Sequence, residues 1–223
     1  MTSHHTPCTC HHGAASAEAV ASGVTSLGAP DKLLPDTATV RSAEAYLAIV
    51  SNETMIRHCK RSYRFGVALA DKAGAKPDLE ALYIGCLFHD LGLETRFAGP
   101  DDFETLGARE ARRYLISRGE HPLAEQVAAA IELHTSVETA RDPRPEVAYL
   151  HIGAVCDVFG ARLDQIEPRL IQQVVAEYPR DGTKTLLTTL LKTQIDSKPQ
   201  SRIARIAARS DVLKLIQDAP FPD

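Results

Sequence analysis

An imidazole and a carboxylate stand side by side at His89-Asp90, where the apolar run LEALYIGCLFHDLG ends. Both are good donors to first-row divalent metals. Leu79, Leu82, Tyr83, Cys86 and Leu87 recur at helical spacing, so the run reads as a buried helix. Gly92, able to take positive φ, is its expected stop. Charge buried at such a place is costly unless it is paired or bound to a metal. An Asp capping the next segment beside a hydrogen-bonded core His satisfies the same pattern, and the dipeptide alone does not choose between the two.

Three further groups sit on apolar helical backgrounds. His58 follows Met55 and Ile56, His134 closes VAAAIELHT, and Asp157 lies within HIGAVCDVFGARL. Each taken alone fits a satisfied core residue. Together with His89-Asp90 they put imidazoles and carboxylates on four separate helices, which is how metal sites are built inside helical bundles. Imidazole titrates near neutral pH, so His134 is the candidate for proton transfer or substrate orientation, with a second metal as its alternative. His151 precedes Asp157 by six residues, a rotation of about 240° at ~100° per residue, and is expected to be structural or exposed. Cys59, Cys86 and Cys156 read as packing residues, not nucleophiles.

Elements able to position these groups are helical almost throughout. The pattern predicts helices over 39–50, from an Asn52 cap to about Gly74, from Pro77-Asp78 through the apolar run, and over 103–117. Others follow from Pro122 to about 138 and over 146–159, 168–177, 183–196 and 203–217. No strand alternation or internal repeat interrupts them. The expectation is an all-α bundle of roughly eight helices with the site between its central members.

A His, a later His-Asp pair and a still later Asp resemble the signature of the HD-domain metalloenzyme superfamily. Longer blocks are similar to one branch, the fungal cyanamide hydratase-like HD proteins. These are HCKRSYRFG at 58–66, FHDLGLE at 88–94, FETLGAREA at 103–111, IELHT at 131–135, CDVFG at 156–160 and YPR at 178–180. Arg57 stands where that branch carries Asn. The resemblance implies His58, His89, Asp90 and Asp157 as ligands of one divalent metal, zinc first and iron or manganese as alternatives. Asp90 and His134 are the expected catalytic residues. A bound cation lowers the pKa of water and supplies hydroxide at neutral pH. The implied activity is a lyase reaction, hydration of a small C≡N compound such as cyanamide to urea.

Arg61 lies one turn after His58 and is expected to reach the substrate, Phe103 to form a pocket wall, and Glu104 to support a ligand or an Arg. Lys60, Arg61, Arg64 and Arg96 would also suit an HD-type phosphohydrolase acting on a nucleotide or small phosphate ester. Against that, Leu93 stands where nucleotidase-type HD enzymes often carry Glu. A non-catalytic metal-binding module is the third reading.

The 223 residues are 44% hydrophobic with a net charge of −4, so one sizeable core is expected and nucleic acid is not. No apolar stretch approaches the ~20 residues a membrane span needs, and no signal peptide is apparent. Five cysteines, an odd number, fit a reducing cytoplasm better than a disulfide framework. Residues 1–30 read as a flexible tail, with His4, His5, Cys8, Cys10, His11 and His12 able to bind copper or zinc. Residues 31–223 read as the HD domain. The expected partner is a small-molecule substrate, and the helical C-terminal third is a candidate homo-oligomer surface.

Overall fold

The computed structural model describes residues 34–221 and the first two residues of the chain. The Cys/His tract expected to bind metal lies outside the described residues. Among these residues there are ten α-helices and no strand, as the helical periodicity predicts, and no helix is long and apolar enough to cross a membrane.

Local chemistry sets the first helices. Thr37 caps α1 (Ala38–Val50) by accepting from the Val40 N–H, and Val40, Ala43, Leu47 and Val50 form its buried stripe. Asn52 caps α2 (Glu53–Lys72) through the Met55 N–H, with Glu53 favourably placed in the first turn. Asp78 caps α3 (Leu79–Phe88) through the Ala81 N–H. Every residue of α3 from Ala81 to Phe88 is buried, so this helix is the centre of the bundle. Around it lie α4 (Phe103–Ile116), α5 (His121–Leu133) and α6 (Pro145–Phe159). The last is stopped by Gly160 in the left-handed region. The chain closes with α7 (Pro168–Glu177), α8 (Thr183–Ser197), α9 (Arg202–Ala207) and α10 (Val212–Gln217).

Three local expectations are corrected. Gly92 does not terminate α3 through positive φ, since the left-handed glycines are Gly74, Gly119, Gly160 and Gly182. A Cβ on Gly92 would instead lie 1.9 Å from the Phe103 carbonyl oxygen, so glycine is there to let two backbones touch. The helix expected to run to about residue 138 ends at Leu133, with His134 as its C-cap. Thr139 Oγ1 then donates to the Leu133 carbonyl, folding the chain into a short 3₁₀ turn at Val137–Arg141. The segment 203–217 is two short helices because Asp211 caps a new start through the Lys214 N–H.

Two packing features bring distant sequence together. Helices α2 and α6 cross with Gly66 and Gly153 at the contact, where a Cβ on Gly153 would stand 2.1 Å from the Ser62 carbonyl oxygen. Backbones can approach this closely because neither residue carries a side chain. His58, about two turns before Gly66, and Asp157, about one turn after Gly153, lie on the same side of that crossing and are thereby brought face to face. A second, smaller cluster of Phe65, Leu69, Ile152, Cys156, Ile166, Val174, Ala219 and Phe221 buries the outer side of the same pair of helices and draws in the C-terminus.

Candidate metal centre

His58 projects from α2, His89 and Asp90 from the turn that ends α3, and His134 from the C-cap of α5. All four are buried, at 1%, 1%, 6% and 4% exposure. Each imidazole has its Nδ1 committed. His89 Nδ1 donates to the Cys86 carbonyl at 2.7 Å, and His134 Nδ1 donates to the Ile131 carbonyl at 2.7 Å. A carbonyl can only accept, so these rings carry their proton on Nδ1 and leave Nε2 as a lone pair. His58 Nδ1 faces an Asp157 carboxylate oxygen at 2.7 Å, which imposes the same tautomer.

The three Nε2 atoms and Asp90 therefore gather acceptors without matching donors. His58 Nε2 lies 3.1 Å from His89 Nε2, and Asp90 Oδ2 lies 3.4 Å and 3.3 Å from those two nitrogens. These separations match the edges of a tetrahedron about one cation, which are roughly 3.3 Å for metal–nitrogen bonds of about 2.0–2.1 Å. His58, His89 and Asp90 form a group able to hold a metal ion among the described residues. His134 Nε2 stands 3.7 Å from the other Asp90 oxygen, beside the group.

Electrostatics agree with this geometry at Asp90, His89 and His134. Burial alone would raise the Asp90 pKa, but the imidazoles of His89 and His58 outweigh it and hold the carboxyl well below its ordinary value. Burial lowers the pKa of His89 and pushes His134 down to about 3, so both stay neutral and able to donate a lone pair. At His58 burial again acts downward, but the Asp157 and Asp90 carboxylates prevail and raise its pKa.

Asp157, expected as the fourth ligand, is placed elsewhere. It is fully buried behind His58, accepting from His58 Nδ1, from Arg61 Nε (2.7 Å) and Nη2 (3.0 Å), and from Arg180 Nη1 (2.6 Å). Of the four expected ligands three converge, with His134 alongside, and Asp157 stands on the Nδ1 side of His58. The physical reason is competition: two guanidiniums and an imidazole N–H reach this carboxylate first.

Arg61, expected to reach the substrate, has its side chain engaged within the protein. Its five N–H donors go to Asp157, the carbonyls of Tyr178 and Pro179 (3.0 and 3.1 Å) and Thr183 Oγ1 (3.1 Å). Phe103 does meet the centre, with its ring edge-on to His134 at 5.6 Å. Glu104 is buried one residue further on and accepts from Thr135 Oγ1, with Arg202 Nη1 at 3.9 Å. Burial raises its pKa. The first two residues of α4 thus brace the two residues at the end of α5.

His151 is buried, not exposed, and its Nδ1 donates to the His134 carbonyl at 2.6 Å. Sequence reasoning did not assign Arg180, Thr183 or Arg202. The YPR block at 178–180 was a signal for Arg180, whereas Arg202 lies in a polar stretch that resembles any exposed helix start. The cysteines 59, 86 and 156 are buried and free, and burial raises each thiol, Cys156 to about 12, so they are inert packing.

The model of one protein family, the HD domain, matches residues 55–215, well over half of the chain. The chain belongs to the HD-domain family. No curated protein matches it. HD domains are typically metal-dependent hydrolases, and the match spans every residue of this centre, from His58 to Asp157. Here the HD dipeptide is His89-Asp90, and the group it forms with His58 suits a divalent cation.

Proposed function

We propose that this HD-domain protein is a metal-dependent hydratase that adds water to a small, uncharged C≡N compound, with cyanamide the first candidate and urea its product. One observation carries the choice of substrate class: the centre is buried, and of the four basic side chains that would suit a phosphate ester, all but the exposed Arg96 are spent on the protein itself. Arg61 is consumed as described, Arg64 pairs with Glu177 at 2.8 Å, and Lys60 pairs with Glu44 at 3.2 Å. A phosphate ester needs cationic donors presented to it, whereas a small neutral nitrile does not.

His58, His89 and Asp90 would hold the cation, which when bound supplies Lewis acidity and a water of lowered pKa. The chain's own groups do the rest. Asp90 Oδ1 and His134 Nε2 face one another and together can orient a water molecule. His134 Nε2, kept as an acceptor by the Nδ1 bond to Ile131 and pushed down to a pKa of about 3 by burial, accepts a hydrogen bond from that water and steers the proton shed as the water oxygen bonds to the nitrile carbon, as an orienting group and not as a resting base. That proton is returned to the nitrile nitrogen, and the isourea so formed tautomerises to urea. Phe103 walls the space beside His134 with an apolar ring edge, which favours a small uncharged substrate.

Elemental analysis of the purified chain, followed by a urea assay with cyanamide on the same sample, tests this reading. One zinc, iron or manganese ion per chain with urea release is expected. Bound metal without urea would overturn the hydratase and favour a second reading, a phosphohydrolase, which the habitual chemistry of the HD family recommends.

A further inference from the structure

The two carboxylates expected to share one duty have opposite surroundings. Asp90 faces three imidazole Nε2 atoms, and among the described residues no guanidinium or ammonium group lies within ion-pair distance of it. Asp157 accepts four hydrogen bonds, two on each oxygen. A carboxylate offers about four in-plane lone-pair sites, so Asp157 has none left for a cation. Its donors are fixed in turn. Arg61 has all five of its N–H groups engaged, and Arg180 Nη1 also donates to the Asp157 main-chain carbonyl at 3.0 Å. The Arg180 guanidinium lies over the Phe221 ring, 4.2 Å from its centroid, and that ring stacks on Phe65 of α2.

We infer that Asp157 serves the centre as the positioning carboxylate of His58 and not as a donor to the cation, and that Arg61, Arg180 and the C-terminal Phe221 lock it in that role. Carboxylate–imidazole–metal relays orient the ligating ring and fix its tautomer. In this chain the carboxylate's charge is more than cancelled by the two guanidiniums. Asp90 is then the single anionic donor, and a divalent cation held here keeps a net positive charge. That suits activation of a weak, neutral electrophile better than a site with two anionic donors would. The inference rests on the cation site and is independent of which substrate the site turns over.

The test uses the full chain, stripped of metal, titrated with Zn²⁺ against a chromophoric chelator and with Co²⁺ by absorption. Asp157→Asn is expected to bind one ion per chain with affinity lowered about 10–100-fold and with unchanged Co²⁺ band positions and intensity. Asp90→Asn is expected to bind none. If folded Asp157→Asn loses the ion as completely as Asp90→Asn, or shows a different Co²⁺ coordination spectrum, Asp157 is a ligand and the inference falls.

Asp157→Asn strands two buried arginines and is at risk of misfolding, so Phe221 provides a second handle. Phe221→Leu keeps apolar volume but removes the ring face. It is expected to weaken Zn²⁺ binding several-fold, with Phe221→Tyr restoring it. Equal affinity in Phe221→Leu and the wild type would overturn the lock. None of these readouts involves cyanamide, so a failed urea assay leaves the inference standing, while a wild-type chain that binds no Zn²⁺ would remove the centre itself.

Discussion

The two nitrogens of His58 look into two different regions of the molecule. On the Nε2 side, lone pairs of three imidazoles and a carboxylate converge without a hydrogen-bond donor to balance them. On the Nδ1 side, a carboxylate is met by as many donors as it can accept, and Arg61, which supplies two of them, has its other N–H groups engaged as well. Both regions are buried and both are rich in ionisable groups. Hydrogen-bond balance separates a site from a support. A buried cluster with surplus acceptors demands something from outside the chain, whereas a balanced cluster is complete in itself and acts as an anchor.

The largest expected effect breaks the acceptor-rich side. Asp90→Ala or His89→Ala should lose bound metal and turnover together, read by elemental analysis and assay. Wild-type metal content in either variant would mean that the ion sits elsewhere.

Next comes the balanced side. Arg61 and Asp157 are both fully buried, so Arg61→Ala leaves an uncompensated charge and should cost about 3–5 kcal/mol in denaturant unfolding. A loss below about 1 kcal/mol, the value typical of exposed pairs, would show that this region is wet and not anchored.

His134 sharpens the contrast because it borders the first region without belonging to the converging group. His134→Ala should keep one metal ion and lower kcat about 10²–10⁴-fold. A halved metal content would instead reveal a second ion.

Acid should separate the regions more gently. The Asp157 pKa is held well below its ordinary value of 3.8, the Arg61 charge and the His58 and Arg180 contacts outweighing the upward pull of burial. Its stabilising contribution is therefore complete above pH 3.8 and is lost as pH falls below that through the depressed folded value. The melting temperature of the metal-free chain should hold near neutral pH and drop in that acidic window.

Glu104 provides the opposite sign and the smallest effect. Its pKa is raised by burial above the ordinary 4.5, so its ionisation in the unfolded chain lowers stability as pH rises past that point. One of its oxygens, Oε2, is buried without a hydrogen-bond partner. Glu104→Gln should melt slightly higher than the wild type at neutral pH and equally below pH 4.5.

Much of the fold was legible because helix signals are local. Asn52 and Asp78 cap their helices through backbone N–H groups three residues on, and Gly160 ends α6 with the positive φ that only glycine adopts cheaply. The apolar periodicity around His58, His89, His134 and Asp157 also marked them as buried, and all four are. Where local signals conflicted with packing, packing prevailed. Gly92 looked like a helix stop and is a point of backbone contact with α4, and the 203–217 stretch kept its apolar spacing across a break at Asp211.

The all-helical class, the caps at Asn52 and Asp78, and the burial of His58, His89, Asp90, His134 and Asp157 were all readable in the sequence, since each depends on neighbours within a turn or two of the chain. What those residues face depends on partners far away along the chain. The roles of Asp157 and Arg61 turn on Arg180, Thr183 and the carbonyls of Tyr178 and Pro179, more than 20 residues beyond Asp157 and more than 115 beyond Arg61. A side chain's hydrogen-bond partners are set by which helices cross and how closely. Here that was decided by two glycines, Gly66 and Gly153, whose lack of a side chain lets α2 and α6 meet.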